Sequence, residues 1–175
     1  MAPIEQNLTQ YAAYHRDRRN IVTHFVGVPL IVFSIILTLA TVAIPAGSIA
    51  ITLAAVVSVC ASIYYLKLDI ALGITMAIVL FAMCAGASEM TARMSTAAAL
   101  GAALALFVIG WAIQFLGHRF EGVKPAFYDD LKQLLIGPIF VCAEAYFLLG
   151  GRKDLRRYIE ERDGRTLPIL DEPRF

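Results

Sequence analysis

Charge is scarce in this sequence: Asp, Glu, Lys and Arg make up 17% of its 175 residues, against about 25% in soluble domains. The net charge is only +1, and no basic run is interleaved with aromatics, which excludes a nucleic-acid partner. The chain has three cysteines, Cys60, Cys84 and Cys142, none at CxxC spacing. Each lies inside an apolar run and reads as a small buried hydrophobe rather than a ligand or half of a disulfide. No Gly-rich nucleotide fingerprint is present. Histidine is also rare, with three in all, His15, His24 and His118.

What the chain has in excess is apolar surface, at 59% hydrophobic residues and a mean hydropathy of +0.69. Soluble domains hold about 45–50%, so this reads as a domain dissolved in lipid. Four runs are long enough for the roughly 20 residues that a crossing needs: 25–44, 48–66, 70–88 and 96–116. Backbone groups in lipid must be satisfied within the segment, which makes each run a helix. Short links at 44–47, 67–69 and 89–95 predict antiparallel neighbours. Residues 1–20 are polar and mixed in charge, so the first run is expected to be a retained anchor, not a secretory signal. Ala97, Gly101 and Ala105 are spaced for close helix packing. Trp111, Tyr14 and Tyr128 suit an aromatic belt at the interface, and Glu89 with Arg93 suits a loop pair.

A fifth segment, 134–149, is short, holds Gly137-Pro138 and carries Glu144, and it reads as a re-entrant or interfacial element broken at that dipeptide. Glu144 at membrane depth is expected to face the interior with a partner. Four crossings put fourteen Lys and Arg on one side and only Arg93 on the other; a fifth would leave seven against eight. The positive-inside rule therefore favours four spans with both ends cytosolic. The expected architecture is all-α, a multi-pass bundle of four transmembrane helices plus the fifth segment. It forms one integral-membrane domain over 1–175: a cytosolic arm (1–24), four spans (25–116), a cytosolic loop with the metal site (117–130), the re-entrant or interfacial segment (131–149) and a charged tail (150–175). The membrane would be the inner membrane of a bacterium or the endoplasmic reticulum of a eukaryote, and the reading leaves room for a homo-oligomer.

This parity puts all three histidines on one boundary, since four crossings separate His24 from His118 and His15 lies in the same arm as His24. A single interfacial histidine is ordinarily an amphipathic side chain. Three imidazoles converging on one point suit iron, zinc, copper or nickel. Asn20 lies four residues before His24, and Gln114 four before His118, each pair on one helical face. Glu121, three residues after His118, is placed to ligate or to orient the imidazole. His15 and His24 are nine residues apart, half a turn out of phase on a continuous helix, so a shared ion requires a break near 16–20. The cluster Arg16, Arg18 and Arg19 reads first as a positive anchor.

Tyr14-His15, Arg19-Asn20, His24 and Val28-Pro29 resemble the opening of the Mpo-type family of membrane dioxygenases acting on 2-hydroxy fatty acids. The likeness returns in Gly110-Trp111, Gln114-Phe115, Gly117-His118, Phe120-Glu121, Pro125-Ala126, Pro138 and Glu144. The resemblance implies an Fe(2+) cofactor and conversion of a 2-hydroxy fatty acid and O2 to the acid one carbon shorter and CO2. It carries the family's essential histidines onto His15, His24 and His118. Glu121 would be a fourth ligand or an orienting group, Asn20 and Gln114 would position O2 or substrate, and Arg19 or Lys124 would pair with the carboxylate. Three protein ligands leave room for a bidentate hydroxy acid and O2.

Other functions have different signatures. A small transporter would place ionisable groups in mid-span or show two related halves, and neither is evident. A non-catalytic adaptor would bind partners through its polar ends and leave the site without metal or ligand, and a zinc hydrolase would share the ligand type.

Overall fold

The computed structural model describes residues 3–46, 49–122, 124–125 and 130–162. Tyr128, Ala126 and the tail beyond 162 lie outside the described residues. Seven helices and one short ribbon follow in order: α1 (Pro3–Ala12), α2 (Arg18–Ala40), β1 (Ala43–Ala46), β2 (Ile49–Thr52), α3 (Leu53–Leu68), α4 (Ile70–Arg93), α5 (Thr96–Glu121), α6 (Gln133–Leu148) and α7 (Lys153–Glu160). The chain forms two compact units, one of residues 1–28 with 113–175 and one of residues 29–112. Helices α2 and α5 contribute to both.

In the first unit, α1 places Ile4, Leu8, Tyr11 and Ala12 on one buried stripe at helical spacing. A helix of ten residues is marginal alone. Burying Ile4 and Leu8 contributes about 1.5–3 kcal/mol each, and α1 gains this by packing on α6 and α7. α6 supplies Ile136, Ile139, Phe140, Ala143 and Phe147 to the same core, and α7 supplies Leu155 and Ile159. Glu144 is fully buried here. Contrary to the sequence reading, Gly137-Pro138 does not break α6, which is continuous from Gln133 to Leu148. The break falls later, where Gly150 and Arg152 take positive φ of 73° and 51°, and α7 turns 112° from α6.

In the second unit, α3 and α4 form an antiparallel hairpin joined by a single residue, Asp69. Its extended backbone ends α3, its amide donates to the Tyr65 carbonyl, and its carboxylate accepts from Leu72 N at 2.9 Å to start α4. Ser58 Oγ meets Cys84 Sγ at 3.0 Å across that hairpin. Cys84 is therefore buried as expected, but Cys60 is exposed and Cys142 half-buried. The expected packing face on α5 is also displaced. Gly101 faces open space, while Ala99 and Ala103, at the same four-residue interval, are buried. Glu89 and Arg93 pair within the last turn of α4, which extends to Arg93, rather than in a loop.

Among the described residues three helices, α2, α4 and α5, are long and apolar enough to cross a membrane. The run at 48–66 is not one helix: residues 49–52 pair antiparallel with 43–46, Ile51 opposite Ile44. Pro45 disfavours a helix interior, and the β-branched Ile44, Ile49, Ile51 and Thr52 favour strand. Thr52 then caps α3 by accepting from Ala55 N, leaving α3 only 16 residues. At 1.5 Å per residue that is about 24 Å, shorter than the ~30 Å hydrocarbon core.

Candidate metal centre

The break required between His15 and His24 is present. The helix stops after Ala12 and restarts at Arg18, so the interruption covers 13–17, slightly earlier than the expected 16–20. Asp17 caps the new helix, its carboxylate accepting from Arg19 N at 2.8 Å. α2 then runs through Pro29 to Ala40, with His24 in its second turn. α5 continues past 116 to Glu121, which puts His118 on its last turn.

These elements bring the three imidazoles together, with one ligand atom from each lying within 4.8 Å of the others. Ring centroids are 4.4 Å apart for His15 and His24, 5.0 Å for His15 and His118, and 5.3 Å for His24 and His118, with planes 67–83° apart. All three are buried, with exposures of 0%, 1% and 8%. His15 Nδ1 donates to the Tyr11 carbonyl at 2.7 Å, and His24 Nδ1 to the Asn20 carbonyl at 2.8 Å. A carbonyl has no proton to give, so both Nδ1 atoms carry hydrogen and both Nε2 atoms present lone pairs in the neutral rings. Those two Nε2 atoms are 3.0 Å apart.

Such a pair repels unless a cation stands between them. A proton would serve only if one ring became a buried imidazolium. Burial, reinforced by His24 and His118, holds the His15 pKa well below 6.5. A metal fits instead: two nitrogens about 2.0–2.1 Å from one ion and at right angles to it are about 3.0 Å apart. The donor set thus suits a transition metal with borderline preferences.

Glu121 takes a different position from the one its spacing suggested. Its carboxylate oxygens accept from Arg16 N and Asp17 N, both at 2.8 Å, and from Asn20 Nδ2 at 3.1 Å. It closes the end of α5 onto the break that carries His15, and its negative charge meets the start of α2. Asn20 is fully buried; its carbonyl also accepts from Thr23 Oγ1 at 2.7 Å, and its side-chain Oδ1 has no hydrogen bond. Gln114 lies one turn before His118, 6% exposed, with an Oε1 that likewise has none. Arg19 is exposed and pairs with Asp17 at 2.7 Å, its guanidinium 4.7 Å from the Phe120 ring centre, so it is already committed. Lys124 is at the surface.

Tyr11 and Phe140 escaped the sequence reading, and Gly117 entered it only as part of a family motif. The Tyr11 ring lies parallel to His15, with centroids 4.1 Å apart and planes 3° from parallel, and Phe140 of α6 backs both. Gly117 lets α5 approach α2: a Cβ there would meet Thr23 Oγ1 and lie 2.5 Å from Asn20 Oδ1. A signal for Tyr11 was available, because it precedes His15 by four residues, as Asn20 precedes His24 and Gln114 precedes His118.

Residues 1–149 match the family model described as 2-hydroxy-palmitic acid dioxygenase Mpo1-like. The chain is 33% identical over 159 residues to 2-hydroxy-palmitic acid dioxygenase MPO1 of Saccharomyces cerevisiae, covering 90% of this chain and 87% of that protein. No solved structure matches it.

Proposed function

Because the chain belongs to the Mpo1-like family of 2-hydroxy-palmitic acid dioxygenases, we propose that it is an iron(II)-dependent membrane dioxygenase acting on 2-hydroxy fatty acids. The reaction takes a 2-hydroxy acid and O2 to the fatty acid one carbon shorter, CO2 and water. Oxidising the hydroxy acid in this way releases four electrons, which reduce O2 fully without a nicotinamide, flavin or 2-oxo acid. The observation that carries the reading is the facing pair of Nε2 lone pairs of His15 and His24, with His118 beside them. Zinc has no redox chemistry, so an oxygen-consuming centre of these ligands calls for a redox-active metal, and the family likeness favours iron among them.

His15, His24 and His118 would hold the ion. Bound there, iron(II) supplies the redox chemistry that lets O2 react with a closed-shell hydroxy acid. The chain's own groups do the rest. Tyr11 and Asn20 carbonyls keep His15 and His24 in the tautomer that ligates. Burial keeps His15 neutral and excludes bulk water from the ligand atoms. The free acceptor oxygens of Gln114 and Asn20 are suited to a donor hydroxyl on the substrate. Arg19 is held by Asp17, and the exposed Lys124 would pair with the substrate carboxylate. Each buried CH2 of the acyl tail would add about 0.8 kcal/mol, so long chains bind mainly through the tail.

Four crossings with both ends in the cytosol remain part of the proposal, and parity supports them. His24 and His118 share one cluster, so an even number of crossings separates them. The helices α2, α4 and α5 alone give an odd number, and α3 supplies the fourth despite its length. The bent α6–α7 pair is then a re-entrant or interfacial element rather than a further span.

The test is elemental analysis of the purified full-length chain, followed by O2 uptake with 2-hydroxypalmitate before and after chelation. The expected result is stoichiometric iron, a fifteen-carbon product, loss of turnover on chelation and recovery with Fe(II). Unchanged turnover in His24→Ala would overturn the reading.

A further inference from the structure

His24 and His118 are carried on helices, whose backbones fix where the imidazoles point, but His15 lies in the interruption at 13–17. Something other than a helix must orient it. Its Nδ1 bond to Tyr11 O fixes one end of the ring without fixing rotation of the ring plane about that bond. The plane is set by what lies against its face, and that is the ring of Tyr11. Tyr11 is 6% exposed, parallel to His15 at 4.1 Å, and 4.8 Å from Phe140 on α6. Its far end is constrained too. Gly137 of α6 faces the phenol, and a Cβ at that position would come within 3.0 Å of Tyr11 Oη, tighter than ordinary van der Waals contact.

We propose that Tyr11 is a positioning residue of the metal centre, a ring seated over Gly137 that sets the plane of His15 and so aims its Nε2 at the ion shared with His24 and His118. The proposal rests on the metal reading above and adds a residue to it. Tyr11 acts by packing, with its ring parallel to His15 and its Oη against Gly137. Gly137 then has a functional reason beyond helix packing, because its missing side chain is the space that Oη occupies.

The experiment uses the full-length chain in detergent and titrates it with Co(II), whose visible absorption reports ligand geometry without turnover. Tyr11→Phe keeps the ring and is expected to bind within about threefold of the unaltered chain, with the same bands. Tyr11→Leu removes the flat face and is expected to weaken binding about 10–100-fold, the usual effect of losing a ligand's supporting group, and to shift the bands. Gly137→Ala is expected to shift the same bands, because its methyl group displaces Oη. Adding Tyr11→Phe to Gly137→Ala should restore them, since the hydroxyl that clashes is gone.

Tight binding with unaltered bands in Tyr11→Leu would overturn the role of Tyr11, as would failure of Tyr11→Phe to rescue Gly137→Ala. If Tyr11→Leu does not fold, the Gly137→Ala pair decides. An unaltered chain that takes up no Co(II) would overturn the metal reading and this one with it, whereas normal uptake with an indifferent Tyr11 overturns this one alone.

Discussion

Nε2 of His15 stands 3.0 Å from Nε2 of His24, while the other nitrogen of each ring donates to a main-chain carbonyl four residues earlier. The two facts together determine the electrostatics of the centre. Were either Nδ1 free, the close pair would be an ordinary imidazole–imidazole hydrogen bond. With both donors spent on carbonyls, the short distance juxtaposes two lone pairs, an arrangement that a cation stabilises and an empty cavity does not.

Acid should destabilise the metal-free protein. His15 has a pKa near 6.5 when unfolded and well below that when folded. Below about 6.5 the unfolded chain takes up a proton that the folded chain does not, so stability is fully present above 6.5 and is lost as pH falls toward the folded value. The slope for one such group is about 1.4 kcal/mol per pH unit. Thermal unfolding of the metal-free chain in detergent should show Tm falling from pH 6.5 to 5, with a shallower fall in His15→Gln. Equal slopes in the two proteins would refute this.

Glu121 is expected to behave as an anchor of the break at 13–17. Hydrogen bonds to a charged acceptor contribute about 1.5–3 kcal/mol each. Glu121→Ala should therefore lower stability by about 2 kcal/mol or more, and Glu121→Gln, which keeps one acceptor, by less. Co(II) bound to Glu121→Gln should show the bands of the unaltered chain. Bands altered as strongly as those of His118→Ala would instead make Glu121 a ligand.

Gly117→Ala tests how closely α5 must approach α2. Its methyl group would collide with Thr23 Oγ1 and Asn20 Oδ1, and overpacking of this kind costs about 1–3 kcal/mol. Removing the hydroxyl in Gly117→Ala/Thr23→Ala should recover part of the loss. Calorimetry of the three variants reads both effects, and a Gly117→Ala chain as stable as the parent would contradict the close approach.

The elements legible in the sequence were those governed by long apolar runs. The cores of α2, α4 and α5 follow from hydropathy alone, as does the Asp69 hinge between α3 and α4. The three histidines were legible because they are rare and each stands beside an end of an apolar run, and the phase difference between His15 and His24 already demanded an interruption. The ribbon at 43–52 was not legible, because a short run of β-branched residues next to an apolar helix has no periodicity to separate the two. The continuity of α6 through Pro138 was missed because tertiary packing outweighed a local helix breaker. Glu121 lay at the right spacing to face His118, but main-chain amides more than 100 residues away took its carboxylate, and no local pattern shows such a partner. Tyr11 offered a spacing signal, four residues before His15, but its seating against α6 had none.

The brevity of α3 bears on where in a cell such a chain is comfortable. In the proposed four-crossing arrangement the sixteen residues of α3 make one crossing, and a thick, sterol-rich bilayer would pinch inward around it, at a cost of fractions of a kcal/mol for every ångström of mismatch, whereas a thin one would need no such deformation. Under that proposal membrane thickness would act as an address, favouring slender bilayers.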